Sequence, residues 1–199
     1  MTRTLDLAPA LPVGAAGRNS VGWWGVLCLI ATEGSLFAYL LFSYYYMAVQ
    51  HGPAWRPAHP SLALSGPDTL ILLASSVAVW WGEEGVKRGR RGQTQAGLAV
   101  GIALGIVFLV VQAFEWRAKT FGLATSAYGS LYFTITGFHM VHVAVGVLML
   151  SMVLLWSALG YFSPRHHARV TIAAIYWHFV DAVWICVFFT FYLSPYLMG

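Results

Sequence analysis

Tyr176-Trp177-His178-Phe179-Val180-Asp181-Ala182-Val183-Trp184 sets a histidine and a carboxylate one helical turn apart inside a segment otherwise suited only to lipid. Ionisable groups at that depth are costly, so they point to function or to a buried partner. The pattern recurs upstream in Thr136-Gly137-Phe138-His139-Met140-Val141-His142, where two histidines at i and i+3 share one face of another apolar segment. Two such faces in one chain predict a bundle with a polar interior.

Working outward from these segments, composition sets the class. The chain has 199 residues, of which 59% are hydrophobic and 9% charged, whereas a soluble domain averages about 25% charged. It reads as an all-α integral membrane protein. A spanning helix needs about 20 mostly apolar residues, and five stretches qualify: Val21 to Val49, Asp68 to Trp81 continuing to about Gly85, Gln95 to Trp116, Tyr128 to Leu159, and Val170 to Leu193. The first is too long for the roughly 7 to 15 residue core of a cleaved signal peptide, so it is expected to stay in the membrane as an anchor. Residues 1–20 form an N-terminal segment, and residues 21–199 a single five-helix domain. Pro53, Pro57 and Pro60 mark the link between the first two helices as an exposed loop.

Five spans place the termini on opposite sides. Arg3, Arg18, Lys87, Arg88, Arg90, Arg91, Arg165 and Arg169 fall on one side, against Arg56, Arg117 and Lys119 on the other. Eight cations against three predict a cytoplasmic N-terminus and a C-terminus outside. The sequence pI of about 9.2 follows from this clustering and does not argue for nucleic acid. Trp23, Trp24, Trp80, Trp81, Tyr192 and Tyr196 lie where interfacial aromatic belts would be. Cys28 and Cys186 have no metal-site spacing and are expected to be small buried apolar side chains.

In this arrangement Glu33, His142 and Asp181 lie near the middle of helices 1, 4 and 5. A carboxylate at that depth must face the interior and hold a proton or pair with a cation. His178 and Asp181 share a face, which allows a hydrogen bond between them. Several readings stand side by side: structural interhelical hydrogen bonds, a proton relay in which Glu33 exchanges protons, axial ligation of a b-type haem by the histidines, and a metal site of His139, His142 and a carboxylate. The one-turn spacing of His139 and His142 and the solitary His178 argue against haem, and nothing in the spacing shows the convergence a metal requires. Glu115, beside Arg117 and Lys119, reads as an interfacial ion pair. Glu83 and Glu84 read as a solvated helix end paired with Lys87 and Arg88 at i+4. Gly97, Gly101 and Gly105 give helix 3 a close-approach face.

Several motifs then agree, in order, with one family. Trp24-Gly25 opens helix 1 with Glu33 inside it, Gln112-Ala113-Phe114-Glu115-Trp116 closes helix 3, Thr136-Gly137-Phe138-His139 precedes His142-Val143 and Gly146, and the Tyr176 to Trp184 run fills helix 5. The chain resembles subunit III of the haem-copper oxidases, cytochrome c oxidase and quinol oxidase, in the five-helix bacterial form that lacks two helices of the longer members. The family's usual Glu-Tyr is Glu115-Trp116 here. The resemblance implies a non-catalytic subunit with no haem, copper or other metal of its own. It implies packing against subunit I, with subunit II in the same complex, bound phospholipid, support of proton uptake, and a multi-pass place in the bacterial plasma membrane. Glu33, Glu115, His139, His142, His178 and Asp181 are then the candidate intramembrane polar network. An accessory subunit of nitric oxide reductase, a b-type cytochrome anchor and a small proton-coupled transporter are the alternative readings.

Overall fold

A computed structural model describes residues 21–52, 55, 62–164 and 167–197. The expected N-terminal segment 1–20, Arg56 with the prolines of the first loop, and Arg165 with His166 lie outside the described residues. Five long helices follow: α1 (Val21–His51), α2 (Leu62–Lys87), α3 (Arg91–Ala118), α4 (Ala127–Ala158) and α5 (Ala168–Phe188). A π-helical turn over Phe189–Leu193 and a short α6 (Ser194–Leu197) continue α5. The five long helices are each apolar and long enough to cross a membrane, and no strand occurs among the described residues.

The expected spans agree with these helices within a few residues except at α2, which starts at Leu62 rather than Asp68. The added turns carry Pro67 inside the helix. Pro67 is the sixth residue of α2, so its fixed φ suits the helix but its missing N–H removes one i→i−4 bond from the second turn. Gly89 with φ 71° closes α2 in the turn to α3, and Gly160 with φ 85° closes α4, positions where a left-handed residue ends a helix at least cost. Ser126 caps α4 by accepting the Gly129 N–H at 3.1 Å.

Helices α2, α3, α4 and α5 pack as a ring, each on its neighbour in the chain, with α5 closing on α2; α1 lies against α4 and α5. Close approach at the α2–α3 seam rests on Gly82 and Gly97. A Cβ on Gly97 would sit 2.6 Å from the Ala78 carbonyl oxygen and from the Gly82 Cα, which are backbone atoms that cannot move aside. Farther along, Gly105 and Gly146 form the slot for the Trp177 indole, which is fully buried. The α3 glycines therefore receive partners from within the chain.

Side-chain hydrogen bonds run along the α2–α5 seam. Thr171 Oγ1 donates to Glu83 at 2.9 Å, Ser76 Oγ meets His178 Nδ1 at 2.7 Å, Trp177 Nε1 donates to Ser75 at 3.0 Å, and Trp184 Nε1 donates to Thr69 at 3.0 Å. On α2, Thr69, Ser76 and Glu83 recur every seven residues, so they stay on one face against the antiparallel partner.

Three expectations are corrected here. Cys28 and Cys186 are exposed rather than buried, on the outer surface of their helices. Tyr192 is buried, not in an interfacial belt, because the π turn directs Thr190, Phe191 and Tyr192 inward together. Glu83 makes its expected pair with Lys87 at 3.0 Å but is itself buried against Thr171 rather than solvated.

Candidate functional site

The six sequence-derived polar residues fall into separate settings. Glu33 of α1 and His142 of α4 meet at mid-depth, with Glu33 Oε2 and His142 Nε2 3.0 Å apart. His142 Nδ1 lies 2.7 Å from the Phe138 carbonyl oxygen. A carbonyl only accepts, so Nδ1 carries a hydrogen. Nε2 then either accepts a hydrogen from a protonated Glu33 or donates one as part of an imidazolium. In both states the 3.0 Å contact holds one proton, shared between a carboxyl and an imidazole. Phe37 packs edge-on to the His142 ring at 5.1 Å, and the Tyr176 hydroxyl donates to the His142 carbonyl at 3.4 Å, bringing α5 to the same place.

His139, one turn away, sits in a cage of Phe37, Phe108 and Trp184, with ring centroids 6.4, 5.8 and 4.9 Å from its own. It is fully buried and neither ring nitrogen has a hydrogen-bond partner. The Gly137 side of α4 faces Trp116, whose Nε1 donates to Thr136 at 3.1 Å. That tryptophan thus brings an N–H donor to the position where the resemblance expects a tyrosine hydroxyl.

His178 does not bond to Asp181. Its Nδ1 turns across the seam to Ser76 on α2, and both Asp181 carboxylate oxygens are buried without a hydrogen-bond partner. Ser76 is also within electrostatic reach of Asp181, but in a geometry short of a hydrogen bond.

Glu115 is buried at the far end of α3, away from the mid-depth groups, and is more than an interfacial ion pair. Lys119 Nζ lies 2.8 Å from its Oε1, Ser65 donates to both carboxylate oxygens at 3.1 and 3.2 Å, and the Tyr192 hydroxyl donates at 2.5 Å. Tyr132 joins through Tyr192 at 3.0 Å, and Lys119 stands over both tyrosine rings, 5.1 and 5.5 Å from their centroids. Sequence reasoning did not assign Ser65, Asp68, Gln112 or Tyr132 to this cluster, all of them buried. The signal available was Asp68 just inside a span and Gln112 one turn before Glu115.

Fold and sites together define a class: a multi-pass, all-helical membrane protein with ionisable side chains paired in its interior. Among the described residues no three His, Cys, Asp or Glu side chains converge as a metal-ligand group. The family described as cytochrome c oxidase subunit III matches residues 18–196. Cytochrome c oxidase subunit 3 of Drosophila melanogaster is 35% identical over 177 residues, which covers 85% of this chain and 68% of that protein. The proteins of the same description from Lumbricus terrestris and Gallus gallus are 35% and 34% identical over the same length and shares. The chain belongs to the cytochrome c oxidase subunit III family, and is thus a membrane subunit of an oxidase complex.

Proposed function

We propose that this chain is the non-catalytic subunit III of a bacterial haem-copper terminal oxidase in the plasma membrane, packed against subunit I alongside subunit II. In this reading haem and copper reside in the partner subunits, which reduce oxygen to water and pump protons. Subunit III stabilises subunit I, binds phospholipid, and supports proton uptake. Its N-terminal segment is cytoplasmic and its C-terminus lies outside, as the cation distribution favours.

The observation that carries the proton role is the Glu33–His142 contact, which holds one proton at mid-depth. It sits between α1 and α4, and the two side chains are 28% and 13% exposed. A proton held there is within reach of a neighbouring subunit, which a fully enclosed pair would not allow. Asp181, His178 and Ser76 form the second mid-depth group of the same proposed network.

The test uses the complex isolated from native membranes with Glu33→Gln or Asp181→Asn in this chain. Expected are normal assembly with a haem-bearing, oxygen-consuming partner and a loss of activity after fewer turnovers than in the unmodified complex. Unchanged assembly, activity and persistence in both variants would sink the proton role. Co-purification with a catalytic subunit that reduces nitric oxide rather than oxygen would sink the terminal-oxidase assignment.

A further inference from the structure

The Glu115 cluster contains more negative charge than it neutralises. Asp68 lies one turn beyond Ser65 on α2, and Ser65 donates to both oxygens of Glu115, so the two carboxylates face the same space between α2 and α3. They interact electrostatically. Among the described residues, two carboxylates meet one ammonium, that of Lys119, which is bound to Glu115 and covered by the Tyr132 and Tyr192 rings. Arg117 at the same helix end is exposed. The facing groups from α4 and the π turn are the Tyr132 and Tyr192 hydroxyls, which are neutral donors. One uncompensated negative charge therefore remains in a buried site, a costly state that a bound cation removes.

A second observation points to a guest. Asp68 is 0% exposed and, among the described residues, both its oxygens lack a hydrogen-bond partner; Gln112, also 0% exposed, has neither amide atom partnered there. Gln112 lies one turn before Glu115 on α3 and within electrostatic reach of the Tyr132 hydroxyl, in a geometry short of a hydrogen bond. Buried polar atoms are nearly always satisfied, and unsatisfied ones mark an ion or ordered water. The guest must donate hydrogen bonds to Asp68 and to the Gln112 carbonyl, and carry one positive charge. A proton held with water meets each of these requirements, without the roughly six or more oxygen ligands that a hard metal cation gathers.

We propose that Asp68 and Glu115 share a single proton, held with water in the space bounded by Gln112, Tyr132 and Tyr192, as a proton-binding site separate from the Glu33–His142 pair. The proton comes from water on the side of the membrane that this end of the bundle faces. Lys119 sets the count: with it, the two carboxylates need one proton, and without it they need two.

Infrared difference spectroscopy of the intact complex reads the protonated-carboxyl C=O signal directly. Asp68→Asn is expected to abolish the part of that signal owed to this site, since Glu115 is then balanced by Lys119. Glu115→Gln should do the same by leaving Asp68 to Lys119. Lys119→Gln should raise the site's signal about twofold, because both carboxyls then need protons, and Asp68→Glu should retain it. Asp68 makes no hydrogen bond among the described residues, so Asp68→Asn carries the test even where Glu115→Gln fails to fold. A signal unchanged in Asp68→Asn, or one that sodium ions displace, would overturn the proposal.

Discussion

Trp177 shows how one side chain joins three helices. Its indole lies against Gly105 of α3 and Gly146 of α4, and its N–H reaches Ser75 of α2 from α5. Trp177→Phe removes that hydrogen bond and leaves unfilled volume against the two glycines. The expected cost is about 1–3 kcal/mol, measured as a lower unfolding midpoint for the chain in lipid or mild detergent; an unchanged midpoint would refute this account of the slot. Trp177 was legible in sequence only as part of an aromatic motif, because the glycines that receive it lie on other helices. Glu33 and His142 were legible as mid-depth groups, since charge inside an apolar run is unusual wherever it falls. The direction of His178 was not, because helix periodicity places it beside Asp181 while the Ser76 hydroxyl across the seam takes its Nδ1. Asp68 was overlooked for a related reason: it stood as the first residue of a span, whereas the helix begins almost two turns earlier.

At the scale of elements, the α2–α5 seam is held by polar contacts two turns apart. Interhelical hydrogen bonds in a membrane contribute roughly 0.6 to 2 kcal/mol each. Ser76→Ala and Thr171→Val are each expected to destabilise by that amount. The two contacts lie about 10 Å apart along α2, so the double variant should match the sum within about 0.5 kcal/mol. A double-mutant cycle checks this, and strong coupling would show that the contacts form or break as one unit. Helix lengths were readable from hydropathy because lipid thickness fixes them. The π turn was not, since Phe189 to Leu193 carry no proline or glycine that would announce a change of pitch. It nonetheless delivers Tyr192 to Glu115.

For the whole molecule, the order of helices around the ring was the least legible feature. The helices are apolar nearly all round, as spanning segments are, so no polar stripe tells one neighbour from another. The α3 glycine repeat announced a close approach without naming its partner, and only the packed chain assigns Gly97 to α2 and Gly105 to Trp177. Loop charge argues for a cytoplasmic N-terminus. Reporter fusions at the two ends test it: a reporter active only in the cytoplasm should work at the N-terminus, and one active only outside should work at the C-terminus. The reverse pattern would invert the assignment and place the Asp68–Glu115 end in the cytoplasm.

The position of α1 bears on how the chain is made. Its neighbours are α4 and α5, so of the five long helices the earliest to leave the ribosome has to wait for the two latest before it can settle. Until then the Glu33 carboxyl is in the bilayer without His142, a burden that α1 must carry through most of synthesis. A nascent chain arrested after α3 should therefore leave Glu33 open to a carboxyl-directed reagent dissolved in lipid, and release of α4 should close that access.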